Sequence, residues 1–506
     1  MSESATADLL LGIDVGTTGT KTMLLRSDGS VVAEAYSGYG VARPRPLIVE
    51  QDAEAWWQSV VQTVRSCLSA VDSGRVRAMS VSAQGGTLVA VDDRGAPLAP
   101  ARSWLDRRAG DQVDRLADRF GHTPFFERTG WRLFGAYNCV QLLDLRQHDH
   151  DLFTSAAAFL GTADFLNLRL TGHRVSDLNS AGITQLTNAA AGDWDGDILD
   201  FIGVPESKLP ELRSPGSLLG TLTPDAAAPL GLDTDVAVIA GGHDQYCAAL
   251  GAGMTEPGDV LVSTGTAWVV LGITASPIPD PNQNFGFGPH VVDGVWGEFG
   301  SLRNGGVCLD WARALMSTDT ATDDYATVQR LASTVAPGAE GLRFFPHFDG
   351  TNTPTWDDRA KGTAVGLELR HGKAEFYRAV MEGVCFELRR VLDGYQAFGP
   401  EISRLTVLGG AANSPLWTGI IADVLGRPVE VSQVPHSACV GAVILAGVGA
   451  GVWPDIASAC AAAIPAGQTT QPSHNVHAYQ DLFARYVAQA HDVLALYTDS
   501  SPGANR

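Results

Sequence analysis

The sequence has little of what metal-bound or disulfide-stapled chains need. Its seven cysteines, Cys67, Cys139, Cys247, Cys308, Cys385, Cys439 and Cys460, stand far apart, with no C-x-x-C pair and an odd total. A zinc site or a disulfide framework is therefore not expected, and a reducing, cytoplasmic setting fits. Positive charge is also scarce: 35 Lys and Arg against 56 Asp and Glu leave a net charge of −21. Nucleic acids and anionic membranes need clustered Lys and Arg, so neither is expected as a partner, although a nucleotide needs only local donors. The opening "MSESATADLL" lacks a basic region and does not read as a secretory signal. The longest apolar run, Ala438 to Trp453, is too short and too rich in glycine to span a bilayer and reads as a buried helix. No low-complexity linker divides the chain, which has polar tails at both ends; at 506 residues it is long enough for two or three domains.

A Walker A loop is missing too. The stretch from Leu9 to Thr22, "LLLGIDVGTTGTKT", ends in Lys-Thr, but Gly16 and Gly19 are too close together for that loop. After Lys21 come two apolar runs around Ser27-Asp28-Gly29-Ser30, a hairpin signal with no helix to cap. The segment reads as strand, tight turn, strand. Such a turn cradles phosphate where small residues let backbone N–H groups and hydroxyls approach. Asp14 at the strand end would then need a cation between itself and the phosphates, which points to magnesium.

The chain repeats this pattern near its middle: Asp259 to Gly272, "DVLVSTGTAWVVLG", is again strand, Ser-Thr-Gly-Thr turn, strand. Two such hairpins predict two related domains facing one nucleotide. Strands are expected over Val31–Tyr36, Arg77–Ser82, Thr87–Val91, Val236–Ala240, Val260–Ser263 and Leu405–Leu408, with helices over Ala53–Ala70, Phe376–Phe398 and Pro415–Leu425. Their alternation predicts layered α/β domains. A third glycine turn, Gly409-Gly410, empties a strand toward a helix capped by Asn413 or Ser414 with Pro415 in its first turn. Between these turns, "IAGGHDQY" (Ile239–Tyr246) delivers Asp244 at a glycine-backed strand end, as a helix cap, as a base aimed into a cleft, or as both.

The ordered set "GIDVGTTGTK", "SWLDRR" (Ser103–Arg108), "GGHDQYCAALGAG" (Gly241–Gly253), "STGTAW", "GTAVGLELRHGKAEFYRAVMEG" (Gly362–Gly383) and "LGGAANSPLW" resembles the FGGY family of carbohydrate kinases over nearly the whole chain. One family signature is departed from: around Asn138–Phe153, Gln141 and Asp144 stand where Lys and Trp are typical. The resemblance implies two actin-like, ribonuclease H-like ATPase domains closing on a cleft. The expected division is 1–243 (sugar side and first hairpin) and 244–506 (nucleotide side). It implies ATP and magnesium, with Asp244 as general base on a sugar hydroxyl attacking the γ-phosphate in line. Asp14 and Asp244 would face magnesium through water. Thr17, Thr18, Thr20 and Lys21 match the first phosphate hairpin and Gly265 and Thr266 the second. Gly306 and Asp310 fall at the nucleotide wall, and Gly410, Ala411 and Asn413 at the adenosine loop.

For the acceptor, Gln84, Gly85, Trp104, Asp106, Arg107 and Gln245 are the candidates. A Trp packs on C–H faces while a carboxylate two residues on accepts hydroxyl protons. The acceptor expected is a small ketose or polyol, foremost a pentulose such as xylulose. Glycerol-type and erythritol-type polyols, a non-kinase actin-like ATPase and a sugar sensor are the alternatives. A homodimer is an open expectation.

Overall fold

A computed structural model of the chain describes residues 8–69, 71–316 and 324–497. The first sheet orders its strands β5-β6-β4-β1-β2-β3, where β1 is Leu9–Val15, β2 Gly19–Arg26, β3 Val31–Gly38, β4 Val76–Ala83, β5 Leu218–Thr221 and β6 Ala237–His243. The second runs β9-β10-β8-β7-β11-β12-β13, with β7 Asp259–Thr264, β8 Trp268–Thr274, β9 Gly286–Pro289, β10 Trp296–Leu302, β11 Arg404–Gly409, β12 Val429–Val431 and β13 Gln468–Thr470. Both sheets share one plan. A leading strand forms an antiparallel hairpin with its successor, β1 with β2 and β7 with β8, and pairs in parallel on its other side, β1 with β4 and β7 with β11. The expected repeat is therefore structural as well as sequential.

The helices that matter here are α1 (Ala53–Leu68), α2 (Leu178–Gly182), α3 (Asp244–Gly251), α4 (Val307–Met316), α5 (Lys373–Gln396), α6 (Pro415–Leu425) and α7 (Ser437–Gly449). The expected helix over 53–70 forms through Leu68; Ala70 and the polar tails lie outside the described residues. The apolar run from 438 is a buried helix, as its composition predicts, with buried residues all round it. Expected strand Thr87–Val91 is shorter, Val89–Val91.

α3 and α7 lie between the sheets. One apolar cluster joins Leu10, Met23 and Ala78 of the first sheet, Leu261 and Leu271 of the second, and Cys247, Leu250, Val440, Val443 and Ile444 of the two helices. α7, late in sequence, thus packs against the earliest strand. Glycine makes this possible: a Cβ on Gly441 would stand 1.9 Å from the Cys247 carbonyl oxygen, and one on Gly12 2.1 Å from that of Cys439. Among the described residues, no helix is long and apolar enough to cross a membrane.

Two predictions arise here. Gly441→Ala forces α3 and α7 apart, so it should lower stability by about 3 kcal/mol, the upper end of the overpacking range, in denaturant unfolding. Glu298, on β10, is fully buried; its Oε1 accepts from the Ile278 N–H at 3.0 Å and its Oε2 has no partner. Burial pushes its carboxyl up to about 9. The folded state then holds a proton that the unfolded state releases above its ordinary pKa of 4.5, so stability falls as pH rises from 4.5 to about 9. Glu298→Gln should remove that slope, melting close to the unsubstituted protein at about pH 5 and above it at about pH 8.

Candidate active site

Strand ends and hairpin turns converge where the two sheets face each other. Asp14 sits one residue before the end of β1, opposite Lys21 on β2 and Ser82 on β4. Ser82 Oγ donates to Asp14 Oδ1 at 3.2 Å. Burial and then the charge of Asp244 push Asp14 up to about 7, with Lys21 and Ser82 pulling the other way. Asp244 is pushed up to about 6 by burial, against the donors of Gln245. Two carboxylates thus share one poorly solvated junction.

The structure decides what Asp244 does at its helix. His243 is the N-cap of α3, its Nδ1 accepting from the Gln245 N–H at 3.4 Å, so Asp244 is not spent on capping. Asp244 is the first helical residue, with a quarter of its side chain open. His243 Nδ1 stands 3.3 Å from Asp244 Oδ1, but burial holds the imidazole down at about 4, so it is neutral and the contact is no ion pair. Gly85 lies under this ring: a Cβ there would come within 2.4 Å of it. Gly85 therefore contributes the space this ring occupies.

The first hairpin turn is braced from outside. Gly16 N–H donates to the Gly19 carbonyl at 3.0 Å, Gln51 Nε2 to the Thr17 carbonyl at 2.7 Å, and the Tyr39 hydroxyl to the Gly16 carbonyl. Thr17 is half-buried and Thr18 exposed, both at the turn. Thr20 departs from expectation: fully buried, its hydroxyl lies 2.6 Å from Ser59 Oγ of α1. Strand alternation is the reason. Thr20 and Thr22 point to α1, where Thr22 meets Thr63, while Lys21 between them points the other way, is half-buried and acts on Asp14.

In the second hairpin, Gly265 and Thr266 are exposed at the turn. Their carbonyls accept from Gly306 N–H and Gly305 N–H, each at 3.0 Å, which seats the start of α4 on the turn. A Cβ on Gly306 would stand 2.7 Å from the Gly265 oxygen, so this contact requires glycine. Thr264, which sequence reading passed over, joins this turn to the third. Its Oγ1 donates to the Leu408 carbonyl at 2.6 Å and accepts from the Ala411 N–H at 3.0 Å, while its own carbonyl accepts from Gly410 N–H at 2.8 Å.

Gly410 and Asn413 are exposed beside this joint. Ala411 is corrected: it is buried in the core with its N–H already taken, and cannot present a side chain to a ligand. The helix cap beyond is Ser414, accepting from Trp417 N–H at 3.1 Å. Asp310 is exposed on α4 but already engaged, by Arg313 at 3.4 Å and by the Tyr325 hydroxyl.

On the acceptor side, the largest correction is Asp106. It is fully buried; Oδ2 accepts from the Val49 N–H at 2.8 Å, and both oxygens accept from the Arg108 guanidinium. Arg108 also pairs with Glu50 at 2.6 Å. Every lone pair that could meet a hydroxyl is occupied, so Asp106 anchors the loop. That loop presents Trp104, 39% exposed, whose Nε1 donates to Thr17 Oγ1 at 3.0 Å and so ties the acceptor wall to the first hairpin. Tyr137, also passed over in the sequence, lies against Gly86 beside Trp104. Arg107 stacks on Phe134, 3.9 Å from the ring centroid, and burial followed by Arg303 lowers it to about 10. Gln141, one of the two signature departures, donates to the Ser103 and Ala136 carbonyls at 3.2 and 2.7 Å; Asp144 pairs with Arg102 at 2.7 Å. The wall is built with substitute residues.

Several acceptor atoms here have no donor, Gln141 Oε1 and Asn138 Oδ1 among them. Gln84 gives its Nε2 to Gln51 Oε1 at 2.8 Å, leaving Gln84 Oε1 buried and unpartnered, and Gln245 Oε1 is buried and unpartnered as well. Among the described residues, no group of three or more His, Cys, Asp or Glu could hold a metal. A cation at Asp14 and Asp244 would therefore take part of its shell from water and phosphate, the habit of magnesium.

Known proteins match this arrangement. Residues 9–251 match the FGGY family of carbohydrate kinases, N-terminal domain, and residues 260–450 its C-terminal domain. Xylulose kinase of Escherichia coli is 30% identical over 422 residues, covering 83% of this chain and 86% of that protein. Gluconokinase of Bacillus subtilis is 27% identical over 444 residues, 86% of each. The crystal structure of xylulose kinase from Rhodospirillum rubrum superposes with a TM-score of 0.88 at 29% identity, covering 97% of this chain and 99% of that one.

The joint made by Thr264 yields a prediction. Thr264→Val keeps the shape, breaks both hydroxyl contacts and should raise the KM for nucleotide about tenfold, with the acceptor KM changed by less than about twofold in initial-rate kinetics.

Proposed function

Since the chain belongs to the FGGY family of carbohydrate kinases, we propose that it transfers the γ-phosphate of ATP to a hydroxyl of a small open-chain sugar, foremost a pentulose such as xylulose. The observation that carries the acceptor class is the pair of buried, donorless oxygens, Gln84 Oε1 and Gln245 Oε1, the second on the residue that follows the partly open carboxylate of Asp244. A buried acceptor without a donor costs about 1–3 kcal/mol, and substrate hydroxyls remove that cost by donating. The xylulose kinases among its relatives support a ketose. An actin-like ATPase that takes no sugar or polyol gives no comparable account of these oxygens.

Asp244 Oδ accepts the proton of the attacking hydroxyl. Its raised proton affinity suits that task, and its freedom from capping leaves it open to the substrate. Trp104 forms the apolar floor for sugar C–H groups, and Gln84 and Gln245 orient the hydroxyls. The turn at Thr17 and Thr18, with Lys21 behind it, and the turn at Gly265 and Thr266 offer N–H groups, hydroxyls and one cation to the phosphates. Gly306 seats the second turn, and Gly410 and Asn413 face the base-binding side. Asp14 and Asp244 would hold magnesium through water, and the ion would neutralise charge on the transferring phosphate. The division of labour falls near residues 243 and 244, where β6 passes into α3.

The test is ADP release with magnesium-ATP against a panel of ketoses, aldoses, aldonates and polyols, run beside Asp244→Asn. One ketose should stimulate release strongly, and the variant should lose about 10²-fold or more in kcat while still binding nucleotide. Release unaffected by every compound, or unaffected by Asp244→Asn, would overturn the reading.

A further inference from the structure

We propose that Asn179 is the positioning residue that aims Asp244, by holding the backbone of His243 and fastening it to the edge of the second sheet. The helix cap is His243 and the donors that meet the Asp244 carboxyl come from the adjacent Gln245, so its direction depends on the backbone that delivers both. That backbone has one side-chain handle on its N–H: His243 N–H donates to Asn179 Oδ1 at 2.9 Å. The other end of the same amide reaches the second sheet, where Asn179 Nδ2 donates to the carbonyl of Pro289, the last residue of β9, at 2.6 Å. The orientation of the amide is fixed by its partners, since a flip would set N–H against N–H and oxygen against oxygen.

Asn179 is 4% exposed, so neither partner has water as a substitute. Its own position is set by α2, whose N-cap Asp177 accepts from Ser180 N–H at 2.6 Å. Space for the amide comes from Gly242, where a Cβ would stand 3.2 Å from Asn179 Oδ1 and 2.3 Å from Val291 Cγ1. β9 is also held by the first half at another point, Phe287 N–H donating to the Gly130 carbonyl at 2.8 Å. The amide therefore belongs to a seam between the halves and is the part of it that touches the residue before Asp244. A displacement of about 1 Å at a reacting group costs as much as about 10²-fold in rate, which makes such a bond kinetically visible.

The inference rests on the kinase reading for its kinetic arm, and hydrogen exchange tests it without any acceptor. In Asn179→Ala, exchange of the segment 241–246 should speed up in the folded protein. Asn179→Asp retains an oxygen for His243 N–H but loses the donor to the Pro289 carbonyl, and should keep that segment better protected than Asn179→Ala does. In turnover, Asn179→Ala should lower kcat about tenfold or more while the KM values for acceptor and ATP stay within about threefold, and Asn179→Asp should recover part of the loss. Combined with Asp244→Asn, Asn179→Ala should lower the residual rate no further, because a residue acting through Asp244 has nothing left to aim. Unchanged exchange at 241–246, a kcat equal to that of the unsubstituted protein, or losses that multiply in the double variant would overturn the proposal. Should the unsubstituted protein phosphorylate no acceptor, the functional reading fails, and exchange still decides the tie.

Discussion

The structure depends on one close contact: the backbone of α7 lies against that of α3 and against β1, with no side chain between them. Gly12, Gly251 and Gly441 mark the three places, since a Cβ on any of them would stand about 2 Å from a carbonyl oxygen of the neighbouring element. This contact connects the two sheets, because α3 leaves the first sheet from β6 while α7 comes after strands of the second. It also fixes the chemistry. α3 begins with Asp244 and β1 ends beside Asp14, so the contact that builds the central core brings two carboxylates to one junction. Neither acid is near the other in sequence.

The elements were largely legible in the sequence, and the reason is local. Strand runs ending in Gly-Thr turns, the apolar stretch from Ala438 and the Ser-Pro helix start are signals carried by neighbouring residues, and each formed where it was expected. The repeated hairpin predicted two related sheets, which share strand pairing as well as pattern. What could not be read was where a side chain spends its hydrogen bonds. Asp106 looks like a sugar-binding carboxylate beside a Trp. Its partners are Val49, far back in sequence, and Arg108, and only the fold shows that they use both of its oxygens. Thr20 failed for a different reason: within a strand, one step in sequence changes the face, and its hydroxyl belongs to the α1 side. Thr264, Asn179 and Tyr137 were passed over because their partners come from other turns and other elements. Thr264 is the nearest to a missed signal, since it opens the same small-residue turn that drew notice to Gly265.

Two buried carboxylates away from the cleft are closed on themselves. Burial alone would push the Glu387 carboxyl up, yet Arg390, His347 and Tyr486 outweigh it and hold the group down at about 2. Glu382 is likewise met by Arg378 at 2.7 Å, by the Tyr479 hydroxyl at 2.8 Å and by the Gly338 N–H at 3.1 Å. These clusters lie on α5, Glu382 within the stretch that carries a family signature and Glu387 just beyond it, and their completeness is that of parts that stabilise a helix in a core. They need no ligand.

The junction between the sheets is built the other way. Asp14 and Asp244 have no guanidinium between them, and Gln84 and Gln245 each leave an oxygen buried without a donor. Burial pushes both carboxyls toward the neutral range, outweighing Lys21 and Ser82 at Asp14 and the donors of Gln245 at Asp244. Such an arrangement costs folding free energy, and a chain selected for stability alone would close it, as this one closes Glu387. On the proposed reading, a cation and phosphates would satisfy the carboxylates and the glycine turns, and hydroxyls would satisfy the amide oxygens. The groups left unsatisfied at this junction are thus the complement of the proposed ligands: an anionic, metal-bound phosphate chain on one side and a donor of hydroxyl protons on the other.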